Sequence, residues 1–139
     1  MNDPKILVWL LIEQDGTVLL GRRKPDRPPF ADIWTLPGGL MREEESASET
    51  VARLGREQLD ITPAAEEFVH RLNLQEGGVD YAINVFRVAF YTGRPRFRES
   101  GPYMDVRWVS LPELRDDTAH EMPELLRESL GAVAEGRKQ

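Results

Sequence analysis

What most limits the fold of this chain is the join between Gly38-Gly39 and the stretch Ser46-Ala-Ser-Glu49. Ser46 and Glu49 have the spacing of a capping box, and Ala47, Val51 and Leu54 then recur at helical spacing. A helix over about Ser46 to Leu59 is predicted, closed by Thr62-Pro63. Strand patterns flank it on both sides, so the helix must pack on a sheet built from segments that precede and follow it.

Lys5 to Glu13 and Thr17 to Arg22 surround the turn signal Gln14-Asp15-Gly16 and predict a hairpin or two neighbouring strands. Lys24 to Phe30 holds three prolines and reads as a loop. Glu67 to Gln75 and Asp80 to Tyr91 predict two strands about Gly77-Gly78. The second is apolar on both faces except at Asn84 and Arg87, as a central strand would be. Gly93 to Pro102 reads as an irregular loop, Val106 to Val109 as a short strand, Pro112 to Leu114 as a helical turn, and Pro123 to Ala134 as a terminal helix. The order predicts an α/β fold, a mixed sheet with helices on both sides, in one unit over residues 1–139.

Composition narrows the chemistry. The net charge is −6, which argues against a protein that holds nucleic acid through its phosphates. There is no cysteine, so thiol catalysis and disulfides are excluded and a cytoplasmic location is the simplest expectation. The longest apolar run, Ile6 to Ile12, falls far short of the roughly 18 residues a membrane span requires, so no membrane role is expected.

Within the helix, Arg53 and Glu57 lie four apart, on one side of the surface, where a guanidinium can hold a carboxylate. Carboxylates gathered on one helix face are hard oxygen ligands for magnesium or manganese, and a preceding glycine lets backbone approach closely. Such an ion neutralises pyrophosphate oxygens and acidifies a bound water.

Residues 39–61 resemble the Nudix box, whose pattern is Gly, five residues, Glu, seven residues, then Arg-Glu-apolar-any-Glu-Glu-any-Gly-apolar. Gly39, Glu45, Arg53, Glu57 and Ile61 match at the required spacing, whereas Leu54, Gln58 and Asp60 depart from it. The resemblance implies a Nudix-like α/β/α sandwich and a Mg2+- or Mn2+-dependent hydrolase of a nucleoside diphosphate linked to another moiety. The partner is then a small-molecule nucleotide or nucleotide derivative, and a homodimer is compatible with it. By this resemblance Arg53, Glu57 and Glu45 are catalytic. Gly39, Glu57, Gln58 and Glu99 are metal ligands, Glu99 because it lies six residues after Gly93. Arg23 and His120 are substrate-binding. Leu54 removes a carboxylate used as base or ligand, for which Glu43, Glu44, Glu45 or Glu99 would compensate. Two alternatives follow: a Nudix-fold module that binds a nucleotide without cleaving it, and a nucleotide-sugar glycosyl hydrolase, since leucine after the arginine also occurs in the GDP-mannose mannosyl hydrolase branch.

Plainer roles stand beside these. Glu57 with Arg53 also reads as a surface ion pair, Phe30 and Trp34 as anchors for the proline loop, His70 as structural, and Arg94, Arg96 and Arg98 as a solvated edge.

Overall fold

The computed structural model describes residues 3–112, 121–124, 126–128 and 130. Its elements run β1 (Lys5–Leu11), β2 (Glu13–Gln14), β3 (Thr17–Arg23), β4 (Trp34–Thr35), β5 (Gly38–Leu40), α1 (Ala47–Leu59), β6 (Thr62–Glu76), β7 (Val79–Thr92) and β8 (Tyr103–Ser110). One sheet has the order β5-β1-β7-β6 and is mixed, because β1 runs parallel to β7 while the other neighbours are antiparallel. The second is antiparallel, with β3 between β4 and β8 and β2 folded onto its start.

Both turns read from the sequence are hairpin turns. Asp15 and Gly16 have φ of 52° and 79°, and Gly77 and Gly78 have 57° and 77°. Two successive residues at positive φ make the tight turn that matches strand twist. The first hairpin, however, joins β3 to the two-residue β2, and β1 is not a neighbour of β3, so Lys5–Glu13 and Thr17–Arg22 do not pair as the hairpin or neighbouring strands expected. The chain leaves the first sheet at Ile12, whose carbonyl accepts from the Leu19 amide, and β1 takes β5 and β7 as partners.

Burial explains why β1 belongs in the middle. Leu7, Trp9 and Leu11 point into one core cluster, while Val8, Leu10 and Ile12 point into another. The first cluster takes Met122, Leu126 and Leu130, from a segment whose described residues between 124 and 130 are helical. The second takes Val51, Leu54 and Leu59 from α1. Helical residues therefore cover opposite faces of β1, and burying each α1 anchor contributes roughly 1.5–3 kcal/mol relative to exposure. Among the described residues no helix is long and apolar enough to cross a membrane.

α1 begins as expected: the Ser46 hydroxyl accepts from the Glu49 amide and the Glu49 carboxylate accepts from the Ser46 amide. Its end differs. Asp60 turns left-handed at φ 57° and the Ile61 amide reaches back to the Gly55 carbonyl, so the helix stops before Thr62-Pro63. Pro63 already belongs to β6, opposite Tyr91, and its ring fills the space where a Cβ on Gly55 would sit, 2.7 Å away. β6 thus starts at Thr62, earlier than the Glu67 read from the sequence. β7 is central as expected, between β1 and β6.

Candidate active site

The site forms where β5 passes the middle of α1. Gly38 lies so close to β1 that an added Cβ would stand 2.1 Å from the Val8 carbonyl oxygen, so only glycine permits the approach. At Gly39 a Cβ would meet Leu54 Cδ2 at 3.3 Å and Gln58 Nε2 at 3.5 Å, which places the helix directly across that glycine.

Arg53 is the hub. Its Nε donates to Glu45 Oε2 at 2.6 Å and its Nη2 to Glu45 Oε1 at 2.9 Å, a two-pronged contact. The same Nη2 donates to the Leu40 carbonyl at 2.9 Å, and Nη1 donates to Glu57 Oε2 at 3.3 Å. One guanidinium therefore ties together β5, the loop before the helix and the helix itself. The Glu45 and Arg53 side chains are 14% and 13% exposed, whereas Glu57 is 53% exposed and also lies 3.8 Å from Arg42 Nη2. Of the two carboxylates that match the box, only Glu57 is presented to solvent.

Glu45 is correspondingly fixed as an anion. The Arg53 hydrogen bonds, helped by the Arg42 amide and the Thr50 hydroxyl and opposed by partial burial, hold its carboxyl down at about 2. Arg53 is raised for the reciprocal reason, the hydrogen bonds to Glu45.

Tyr103 closes the site from below. It is 1% exposed, its hydroxyl accepts from the Gly38 amide at 2.8 Å and donates to Gln58 Oε1 at 3.1 Å, and Gln58 Nε2 donates to the Gly38 carbonyl at 2.9 Å. Burial pushes the phenol up, so it keeps its proton. Arg23 lies over the ring, 5.7 Å from the centroid, and its Nε donates to the Arg27 carbonyl.

Arg23 also lines a pocket of about 110 Å3 with Trp9, Pro28, Phe30, Gly38 and Gly39. That is well below the roughly 300–1,000 Å3 of a site enclosing a whole ligand, so it accommodates one ring or one phosphate. Phe30 is 3% exposed and packs against Trp9 and Tyr81, and Trp34 is 7% exposed, so both anchor the proline loop.

The structure brings Gly39, Glu45, Arg53, Glu57, Gln58 and Arg23 into one neighbourhood. Glu99 is exposed, and its backbone carbonyl accepts from Lys24 Nζ at 2.6 Å. His120 lies outside the described residues. Among the described residues no three or more His, Asp or Glu side chains converge as a ready ion cage. Leu54, 2% exposed, is part of the core beneath Gly39. The arginine loop is not merely a solvated edge, because Arg96 and Arg98 both bind the Asp60 carboxylate, at 2.8 Å and 3.2 Å.

Sequence reasoning missed Tyr103 and the Asp60 anchor. Tyr103 opens a strand with no local pattern to mark its hydroxyl, and its partners lie 65 and 45 residues away. Asp60 carried a signal, an acidic residue where the box has glycine with alternating arginines downstream.

The NUDIX domain family model matches residues 1–129. The CTP pyrophosphohydrolase of Escherichia coli (strain K12) is 29% identical over 87 residues, which span 63% of this chain and 64% of that relative. Among solved structures, the MutT protein from Methanosarcina mazei Go1 superposes with a TM-score of 0.86 at 25% identity, covering 100% of this chain and 99% of that one. The MutT NUDIX hydrolase from Burkholderia pseudomallei superposes with a TM-score of 0.81 at 25% identity, covering 95% and 99%. The α/β/α sandwich read from the box and the strand order is the fold these structures share, and the chain belongs to the NUDIX family.

Proposed function

We propose that the chain hydrolyses a phosphoanhydride bond in a nucleoside diphosphate linked to another moiety. The carrying observation is the Arg53 hub, which binds Glu57 and the carbonyl of Leu40, a residue that lines the same pocket as Arg23. The E. coli relative, a pyrophosphohydrolase by name, supports the same class of bond.

The family pattern implies a divalent cation, and the donor set decides what kind of site is available. Glu57 offers one exposed carboxylate, and magnesium sites commonly combine one or two carboxylates with substrate phosphate oxygens. The residues therefore fit an ion completed by the substrate, held by Glu57 and the Gly39 backbone. When bound, the ion neutralises the pyrophosphate and acidifies a water.

The chain's own groups have separate tasks. Arg23 approaches a phosphate from the pocket side. Arg53 orients Glu57 and holds β5 through the Leu40 carbonyl. Glu45 anchors Arg53; a carboxyl held at about 2 is too weakly basic to take a proton from water near neutrality. Water adds to phosphorus, the bridging P–O bond breaks, and the water proton passes to Glu57 or solvent.

Purified protein with magnesium, screened against nucleoside triphosphates, nucleotide sugars and dinucleoside polyphosphates, tests the proposal. Glu57→Gln should lower turnover by roughly 10²- to 10⁴-fold with little change in thermal stability, since the side chain is half exposed. Wild-type turnover no faster than that variant would sink the hydrolase reading.

A second reading has its own observation. Leu54 fills the core where the box pattern has a carboxylate, which suits a module that binds a nucleotide derivative without cleaving it. Calorimetric binding that persists in chelator, with the ligand recovered intact, distinguishes this case.

A further inference from the structure

We propose that Gln58 and Tyr103 form a neutral clamp on the Gly38 peptide that positions β5 for catalysis, and that Gln58 is a positioning residue rather than a metal ligand. The catalytic part rests on the hydrolase reading above; the assignment of Gln58 does not.

The hydrogen bonds form a closed circuit. The Gly38 amide donates to the Tyr103 hydroxyl, the hydroxyl donates to Gln58 Oε1 with the Gly38 carbonyl as a longer second acceptor at 3.3 Å, and Gln58 Nε2 returns to the Gly38 carbonyl. The amide side chain uses a donor and an acceptor at once, which a carboxylate cannot do. A carboxylate oxygen in place of Nε2 would face the Gly38 carbonyl oxygen at 2.9 Å with no proton between them. The circuit thus accounts for glutamine where the box pattern has glutamate.

Coordination would require Oε1 to turn away from Tyr103. Gln58 is half-buried, while Tyr103 and Gly38 are buried, so that rotation gives up the 2.9 Å bond to the Gly38 carbonyl and leaves that carbonyl only the longer contact from the Tyr103 hydroxyl, at 3.3 Å. The phenol cannot follow the amide outward. Its ring lies where a Cβ on Gly21 would stand, 2.7 Å from Cδ1, and the Arg23 guanidinium covers it. Tyr103 thereby joins β3, β5, β8 and α1, and it fixes the peptide next to Gly39 from the same ring that carries the pocket arginine.

The test uses the full chain with Gln58→Glu, Tyr103→Phe and the double variant. Three properties are measured: Mn2+ binding without nucleotide, melting temperature, and kcat and KM with magnesium. The clamp predicts that Q58E leaves Mn2+ affinity within about twofold and lowers the melting temperature. It further predicts that Q58E and Y103F each lower kcat by about tenfold with KM nearly unchanged, as expected when positioning is lost. The double variant should be no worse than the worse single variant, because both break one circuit.

Q58E binding Mn2+ tenfold or more tighter, with an unchanged melting temperature, would overturn the proposal and restore a ligand role. Independent losses of stability that add in the double variant would overturn it too. Y103F preserves ring packing, so it reports even if Q58E misfolds: unaltered melting temperature and kcat would refute the clamp. If wild type proves inactive, the hydrolase reading fails, while the Mn2+ and melting measurements still decide the role of Gln58.

Discussion

Glu45 and Glu57 share one arginine but differ in what they can offer. Glu45 is spent on Arg53, the Arg42 amide and the Thr50 hydroxyl, and Glu57 keeps an open face. Because the Glu45 carboxyl falls from its ordinary 4.5 to about 2 on folding, its contribution to stability is complete above about 4.5 and disappears as pH drops towards 2. Acid titration of unfolding should show that loss in wild type and a flatter profile over the same window in Glu45→Gln. Arg53→Lys should also flatten it, since lysine cannot reproduce the two-pronged contact. The Arg53–Glu57 pair was legible in the sequence because neighbours four apart share a helix face. Glu45 as the stronger partner of Arg53 was not, because that contact depends on the loop from Met41 to Glu45 folding back onto the helix.

At the level of elements, Asp60 does two jobs that the box glycine performs only in part. It adopts the left-handed turn that ends α1, and its carboxylate receives Arg96 and Arg98. Asp60→Gly keeps the turn while removing the carboxylate. These pairs are exposed, so global stability should change by less than about 1 kcal/mol. Amide exchange across residues 93–102 should nevertheless accelerate, and unchanged exchange would show that the loop is held by other contacts. α1 was legible because a capping box is a local signal. The short strands β4 and β5 were not, since two or three residues acquire strand geometry only from the partners they meet. The Lys5–Arg22 region likewise showed its turn but concealed that β1 crosses to a different sheet.

For the molecule as a whole, β1 contributes to both core clusters, as β3 and β7 also do. Leu10→Ala removes side-chain volume from the cluster facing α1 and should cost about 2–5 kcal/mol. Trp9 and Trp34 belong to the other cluster, so tryptophan fluorescence and far-ultraviolet circular dichroism test whether the two sides melt together. Coincident, equally shifted transitions are expected, and separated midpoints would mean the clusters unfold independently. The central position of β7 was visible as apolar residues on both faces, but the division of β1 between two clusters required the three-dimensional partners.

The hairpin tips contrast with this crowded centre. A Cβ added at Gly16, Gly77 or Gly78 meets nothing within 4 Å. Open turns of this kind are the natural places for protein engineering to install a fluorophore-bearing insertion or relocated chain ends. A reporter at Gly77-Gly78 would ride on the β6–β7 hairpin, leaving the glycine-to-helix junction that carries the chemistry undisturbed.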